Sequence, residues 1–240
     1  GGVKAFHNRM WKGSRMITDD GSEAVEFRLS SPDGENGYPG NVDVSVTYVL
    51  LKDSRTVRIL VNATVDRVTP LNLTNHTFFN LQGHSSKMDA SSHELWLAPC
   101  RLVECDSQLI PTGRLLEVDG EYYDFTSSPL AIREAIDHAS EQVRGDGGFS
   151  LAFGMNEYDG SMKVVASLVD PRSGRRLDVL TNQPSVQIYT GYFMDGTDVG
   201  HDGSRYFKTA GIAIETQGYP DAMHNGNFPS ILCGPEKPYR

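Results

Sequence analysis

An all-β fold is expected, a large antiparallel β-sandwich with one short helix. Three observations point to it. Two nine-residue runs alternate apolar and polar residues, Val42 to Leu50 and Val57 to Val65, with Lys52-Asp53-Ser54 between them. Turn formers recur at short intervals along the whole chain. Only Pro129 to His138 spaces its apolar residues, Leu130, Ile132 and Ile136, for one face of a helix.

In chain order, Ala24 to Ser30 alternates as a half-buried strand does, and Ser31 to Gly40 is dense in Pro, Gly, Asp and Asn and reads as a loop. The two alternating runs that follow form a long hairpin. Leu71 to Gly83 begins like a strand, and Leu71, Leu73, Phe79 and Leu81 supply its apolar anchors. Side chains of an extended segment alternate between faces, which puts Asn72, Thr74, His76 and Asn80 in one polar row. Glu94 to Pro99 reads as a strand, Leu109 to Gly113 as a turn and Gly120 to Phe125 as a short extended piece. Gly145 to Gly148 is a Gly-rich loop with neither the Lys-Ser/Thr nor the βαβ setting of a phosphate-binding loop. Met162 to Val169 and Arg175 to Leu180 make a second hairpin across Asp170-Pro171-Arg172-Ser173-Gly174. Val186 to Gly191 and Ala210 to Gln217 are further strands. With no internal repeat and no linker, residues 1–240 are expected to form a single domain.

Charge and composition narrow the function. A net charge of -9 argues against binding nucleic acid or an anionic membrane surface, and says nothing against a neutral ligand. No apolar run is long enough to span a bilayer. Cys100, Cys105 and Cys233 fit neither a zinc pattern nor an even disulfide framework, so free thiols and a cytoplasmic location are expected. The chain opens on Gly1-Gly2 and stops at Tyr239-Arg240, as a fragment would.

Two polar interruptions of apolar strands are candidates for chemistry. One is the row containing His76, although a lone His in a β segment is more often a hydrogen-bonded structural residue. The other is Glu215, which follows Ile212-Ala213-Ile214 and precedes the turn Gly218-Tyr219-Pro220. A carboxylate at the mouth of a sheet is commonly solvated and inert. Partial burial raises its pKa and makes it a usable base near neutral pH.

The stretch Asn72-Leu73-Thr74-Asn75-His76-Thr77-Phe78-Phe79-Asn80-Leu81-Gln82-Gly83 resembles the N-L-T-N-H-x-Y/F-F-N-L-x-G signature of the galactose mutarotases, or aldose 1-epimerases. Further segments resemble the same family. They are Ser31 to Gly40, Leu109 to Gly113, Thr181 to Gly191, Glu215 to Ala222, the Phe228-Pro229 pair and, loosely, Gly234 to Tyr239. The resemblance covers nearly the whole chain and implies the family's supersandwich, an all-β fold here lacking its N-terminal strands and extreme C-terminus.

By that resemblance His76 is the general acid, Glu215 the general base and Gln187 a sugar contact. The implied reaction interconverts the α and β anomers of a galactose- or glucose-type aldose. It needs no cofactor and no metal, and no second His stands at ligand spacing from His76. The implied partner is a small aldose, with the chain a monomer or homodimer. The family's G-F-D-H-N-F stretch stands here as Gly148-Phe149-Ser150-Leu151-Ala152-Phe153, so Ser150 occupies the position of its sugar-binding Asp, with Asp146 close by in sequence. The family's sugar-binding His before the Gly pair, and its Asn-Arg pair upstream, lie outside this chain. A second reading on the same scaffold is a catalytically impaired carbohydrate-binding or regulatory protein, which the Ser150 exchange favours and the retention of both His76 and Glu215 opposes. The acid–base reading places His76 and Glu215 facing each other across an open cleft, on opposite sides of a sugar-sized space.

Overall fold

A computed structural model describes residues 2–85, 89–138 and 147–240. Gly145 and Asp146, the first half of the Gly-rich loop expected from Gly145 to Gly148, lie outside them. The chain divides into two compact units, Gly1–Leu73 with Ile231–Arg240, and Thr74–Ser230.

In the first unit, β1 (Lys12–Ile17), β2 (Glu23–Ser31), β3 (Val42–Leu50) and β4 (Val57–Val65) form one antiparallel sheet in sequential order. The register of β3 and β4 pairs Val42 with Val65 and Leu50 with Val57, so the two alternating runs form the expected hairpin residue for residue. Asp53 takes a positive φ of 55° in the connecting turn, a conformation that Asp tolerates better than bulky residues do. Val42, Val44, Ala63 and Val65 are buried in a core with Leu71 and Cys233, and Leu73, Trp11 and Tyr239 pack against it. β5 (Thr69–Pro70) pairs with the short strand Leu232–Cys233. The Tyr239 hydroxyl donates to Leu73 O at 3.1 Å and accepts from Leu73 N at 3.2 Å.

The second unit contains β6 (Phe78–Phe79), β7 (Glu94–Leu97), β8 (Cys100–Cys105), β9 (Pro111–Leu116), β10 (Leu130–Ala131), α1 (Ile132–His138), β11 (Ser150–Met155), β12 (Lys163–Val169), β13 (Arg176–Thr181), β14 (Ser185–Tyr189), β15 (Asp195–Val199), β16 (Arg205–Phe207) and β17 (Ile212–Gln217). A six-stranded sheet runs β6-β17-β14-β11-β8-β9 and a four-stranded one β10-β7-β12-β13, while β15 and β16 pair separately. Val186, Ile188, Ile212, Ile214 and Phe153 of the larger sheet share one buried cluster with Leu95, Leu97, Ala166 and Leu168 of the smaller. Phe125, Phe149 and Ile132 belong to the same cluster. Two antiparallel sheets joined by interdigitated inner faces make a sandwich.

Several local expectations shift. The segment from Leu71 to Thr77 is not a strand; regular pairing begins only at Phe78. Asn75 Oδ1 accepts from Thr77 N at 3.2 Å and from Thr77 Oγ1 at 2.6 Å, and such a side-chain-to-backbone bond turns the chain locally instead of extending it. The helix starts at Ile132, because Leu130 and Ala131 pair with Leu95 and Glu94 of β7. Gly120 to Phe125 is a run of turns, with Glu121 N bonded to Val118 O and Asp124 N to Glu121 O. The turn expected at Leu109 to Gly113 lies earlier, over Asp106 to Ile110, and Pro111 already opens β9.

Gly154 of β11 has no side-chain room, since a Cβ there would overlap the Tyr219 hydroxyl and ring. Gly154→Ala is therefore expected to destabilise by ~1–3 kcal/mol, as overpacking does. A thermal unfolding midpoint equal to the parent's would show that Tyr219 turns away freely.

Candidate active site

Three neighbouring strands carry the site in register. Glu215 of β17 stands opposite Gln187 of β14, which stands opposite Ala152 of β11. Two pairs along, Tyr189 stands opposite both Ser150 and Ala213, and Ala213 stands opposite Phe78 of β6. Val186, Ile188, Ile212 and Ile214 are buried in the core. Side-chain alternation therefore puts Ser150, Gln187, Tyr189, Glu215 and Phe78 together on the opposite face.

His76 precedes β6 by two residues and leans over this face. Its Nε2 lies 3.2 Å from Glu215 Oε1. Its ring centroid is 5.1 Å from that of Phe78 and 6.1 Å from that of Tyr189, the latter edge-on. Tyr189 is held in turn by Phe193 N, which donates to its hydroxyl at 3.2 Å, and by an edge-on contact with Tyr192. Gln187 Nε2 donates to Ser150 Oγ at 2.8 Å. The four residues expected at the site are thus on one surface, in two contacting pairs.

His76 and Glu215 differ in environment. The Glu215 side chain is 9% exposed and that of His76 52%. Burial raises the Glu215 pKa above its ordinary value, and the positive charge available on His76 partly lowers it again. A carboxylate deprived of water is attracted strongly to a nearby cation. The geometry departs from expectation in one respect. His76 and Glu215 are in direct contact, with no sugar-sized space between them. His76 sits half exposed on an irregular segment, so its ring is free to close onto the buried carboxylate.

A buried carboxylate touching a half-exposed imidazole, beside an amide and a hydroxyl and walled by aromatic rings, offers a proton acceptor and a proton donor to a small polar ligand. Among the described residues no three His, Cys, Asp or Glu side chains converge as a metal site. The family model for aldose 1-epimerase matches residues 1–240. The chain belongs to the aldose 1-epimerase family. It is 38% identical over 239 residues to the galactose mutarotase of Rattus norvegicus, covering all of this chain and 66% of the rat protein. It is 33% identical over 233 residues to the aldose 1-epimerase of Escherichia coli K12, covering 97% of this chain and 64% of that protein. The chain therefore spans just under two thirds of the length of these relatives. Among solved structures, an aldose epimerase homologue from C. elegans superposes with a TM-score of 0.81 at 26% identity, over 96% of this chain and 66% of its own. A galactose 1-epimerase from Lactobacillus acidophilus gives 0.78 at 25%, over 96% and 64%. The β-sandwich fold expected from the sequence is the fold of these family structures.

Phe78 and Tyr189 have no expected role in the sequence reading, where Phe79 is the aromatic anchor. Phe79 does pack against the core, opposite Ile212. Phe78, its neighbour, points the other way and is 36% exposed. Period two from Gln187 is the signal that finds Tyr189.

Proposed function

We propose that this protein is an isomerase that interconverts the α and β anomers of a galactose- or glucose-type aldose, with Glu215 as base and His76 as acid. The contact between Glu215 Oε1 and His76 Nε2 carries the proposal, because it joins a buried carboxylate to a proton donor on one open face. The sugar enters between the two groups. Glu215 takes the proton of the anomeric hydroxyl as protonated His76 gives one to the ring oxygen. The bond between C1 and the ring oxygen breaks, leaving an open-chain aldehyde, neutral His76 and protonated Glu215. After rotation about C1–C2, the former ring hydroxyl attacks the other face of C1. Its proton returns to His76, and Glu215 returns its own to the new anomeric oxygen. Each turnover thus restores both groups, and a raised carboxylate pKa eases the exchange near neutral pH. Gln187, held by Ser150, and Ser150 itself are assigned to sugar hydroxyls, and Phe78 and Tyr189 to the apolar edge of the ring.

A cytoplasmic location is part of the proposal, on the presence of three free cysteines, one of them exposed. No helix among the described residues is long and apolar enough to cross a membrane.

The test is polarimetry on the full-length protein with fresh α-D-galactose and α-D-glucose, corrected for spontaneous mutarotation. A rate no greater than background with both sugars would reject the assignment. Gln187→Ala is expected to act mainly on KM, raising it by the equivalent of roughly 0.5–1.5 kcal/mol, because it deletes a neutral hydrogen bond made in ground and transition states alike. A fall in kcat with KM unchanged would instead give Gln187 a part in the chemistry.

A further inference from the structure

The turn from Asn80 to Gly83 follows β6, which pairs with the strand that carries Glu215. Gly83 N bonds to Asn80 O at 2.9 Å, and Asn80 Oδ1 accepts from Gln82 N at 3.0 Å. Asn80 Nδ2 donates to Ala210 O at 3.0 Å, just ahead of β17. The turn is fastened from outside at three points. Leu81 O accepts from Arg175 Nη1 at 3.0 Å, Gln82 Nε2 donates to Asp170 Oδ1 at 3.1 Å, and Leu81 N donates to His93 Nε2 at 3.0 Å.

His93 is 0% exposed and its backbone is bonded on both sides, N to Ala90 O and O to Ile132 N. Because its Nε2 accepts a proton, the neutral ring carries its own proton on Nδ1. That Nδ1 has no hydrogen bond of good geometry among the described residues, the Ala90 backbone being its only near acceptor among them. Burying an unpaired donor costs stability, and an apolar side chain of similar size would avoid the cost. What the histidine supplies in return is the acceptor for Leu81.

We propose that His93 is a positioning residue, whose neutral Nδ1–H imidazole accepts the Leu81 amide and so fixes the turn that holds β6, just beyond His76, against β17, which carries Glu215. The activity readout rests on the acid–base reading above; the tautomer does not. The charged groups facing the ring are Asp170 from the β12–β13 turn and Asp89 from the segment before Ala90. Asp89 is itself paired with Arg133 at 3.1 Å. Burial is the largest effect and lowers the His93 pKa below the usual 6.5, although Asp170, the Ala90 backbone and Asp89 all favour the charged ring. Protonation would put an N–H on Nε2 facing the Leu81 N–H. The contact is therefore present at neutral pH and lost as pH falls through the lowered pKa.

The direct test is a long-range 1H–15N spectrum of protein labelled at histidine, with the His93 signals assigned by their absence in His93→Gln. A neutral ring with an unprotonated Nε2 at pH 7.5, titrating below 6.5, is expected; an Nε2–H tautomer or a charged ring would overturn the proposal. In the kinetic arm, His93→Leu removes the acceptor and is expected to lower kcat about tenfold, since small misplacements of catalytic groups cost that much or more. His93→Gln offers an amide oxygen near the same place. It is expected to keep kcat within about threefold and to lose the parent's His93-dependent fall on the acid side. If both variants shift only the unfolding midpoint, with kcat and its pH profile equal to the parent's, His93 is structural and the proposal falls. A parent without anomerisation would reject the proposed function while leaving the spectral test to decide the tautomer.

Discussion

Glu215→Gln is expected to lower the anomerisation rate by about 10²–10⁴-fold, the usual contribution of a positioned general base, while making the folded protein more stable at neutral pH. The amide keeps the size of the side chain and its place on β17, so the register with Gln187 is undisturbed. What disappears is the group proposed to take the anomeric proton. The stability effect follows from the same burial. The folded-state pKa of Glu215 lies above the ordinary 4.5, with desolvation the larger cause and His76 only partly offsetting it. The native state therefore binds the Glu215 proton more tightly than the unfolded chain does. Stability from this group is full below 4.5 and is lost as pH rises through the raised value. The replacement amide cannot ionise, so the gap in unfolding midpoint between variant and parent should be small near pH 4 and widen towards pH 8. Polarimetry on both proteins, with thermal unfolding at the two pH values, checks the two halves separately. A variant that turns over as fast as the parent would end the base assignment.

A buried carboxylate held at a cost in stability is also the kind of feature that local sequence pattern describes poorly. β3 and β4 were legible to the residue, because one face of each is wet and the other dry at the Val42–Val65 end. The β12–β13 hairpin was legible from its turn chemistry, and Asp170 N does close on Arg175 O. β11 was not. Ala152, Phe153 and Gly154 are all buried, so both its faces are covered and no period-two signal survives. At the site, His76, Glu215 and Gln187 were visible through the motifs around them, and Ser150 through a single position in one. Their arrangement was not visible. The opposition of Gln187 and Glu215 is a matter of strand register between segments distant in sequence. The His76–Glu215 contact depends on the Asn75–Thr77 turn, where the pattern suggested a continuous strand. Tyr189 went unassigned because an aromatic residue in a strand is ordinary until its neighbours on the same face are known.

His76→Gln is the complementary case, and it should separate catalysis from folding more cleanly. His76 is half exposed and precedes regular structure, so its loss is expected to shift the unfolding midpoint little. The rate should nevertheless fall by roughly 10²–10⁴-fold, because no titrating group then stands where the ring oxygen must be protonated. The residual activity carries a second signature. The His76 charge lowers the pKa of Glu215, so removing it lets the carboxylate rise further. The acid side of the remaining pH–rate profile, which reports loss of the unprotonated base, should move to higher pH than in the parent. Phe78 and Tyr189 still wall the position, so the substituted amide is confined near the same place, and a changed profile reports the missing charge. A shift to lower pH would mean that His76 is not the cation Glu215 feels. An unchanged rate would mean that the proton on the ring oxygen comes from elsewhere, and Glu215 would then need another partner on the same face.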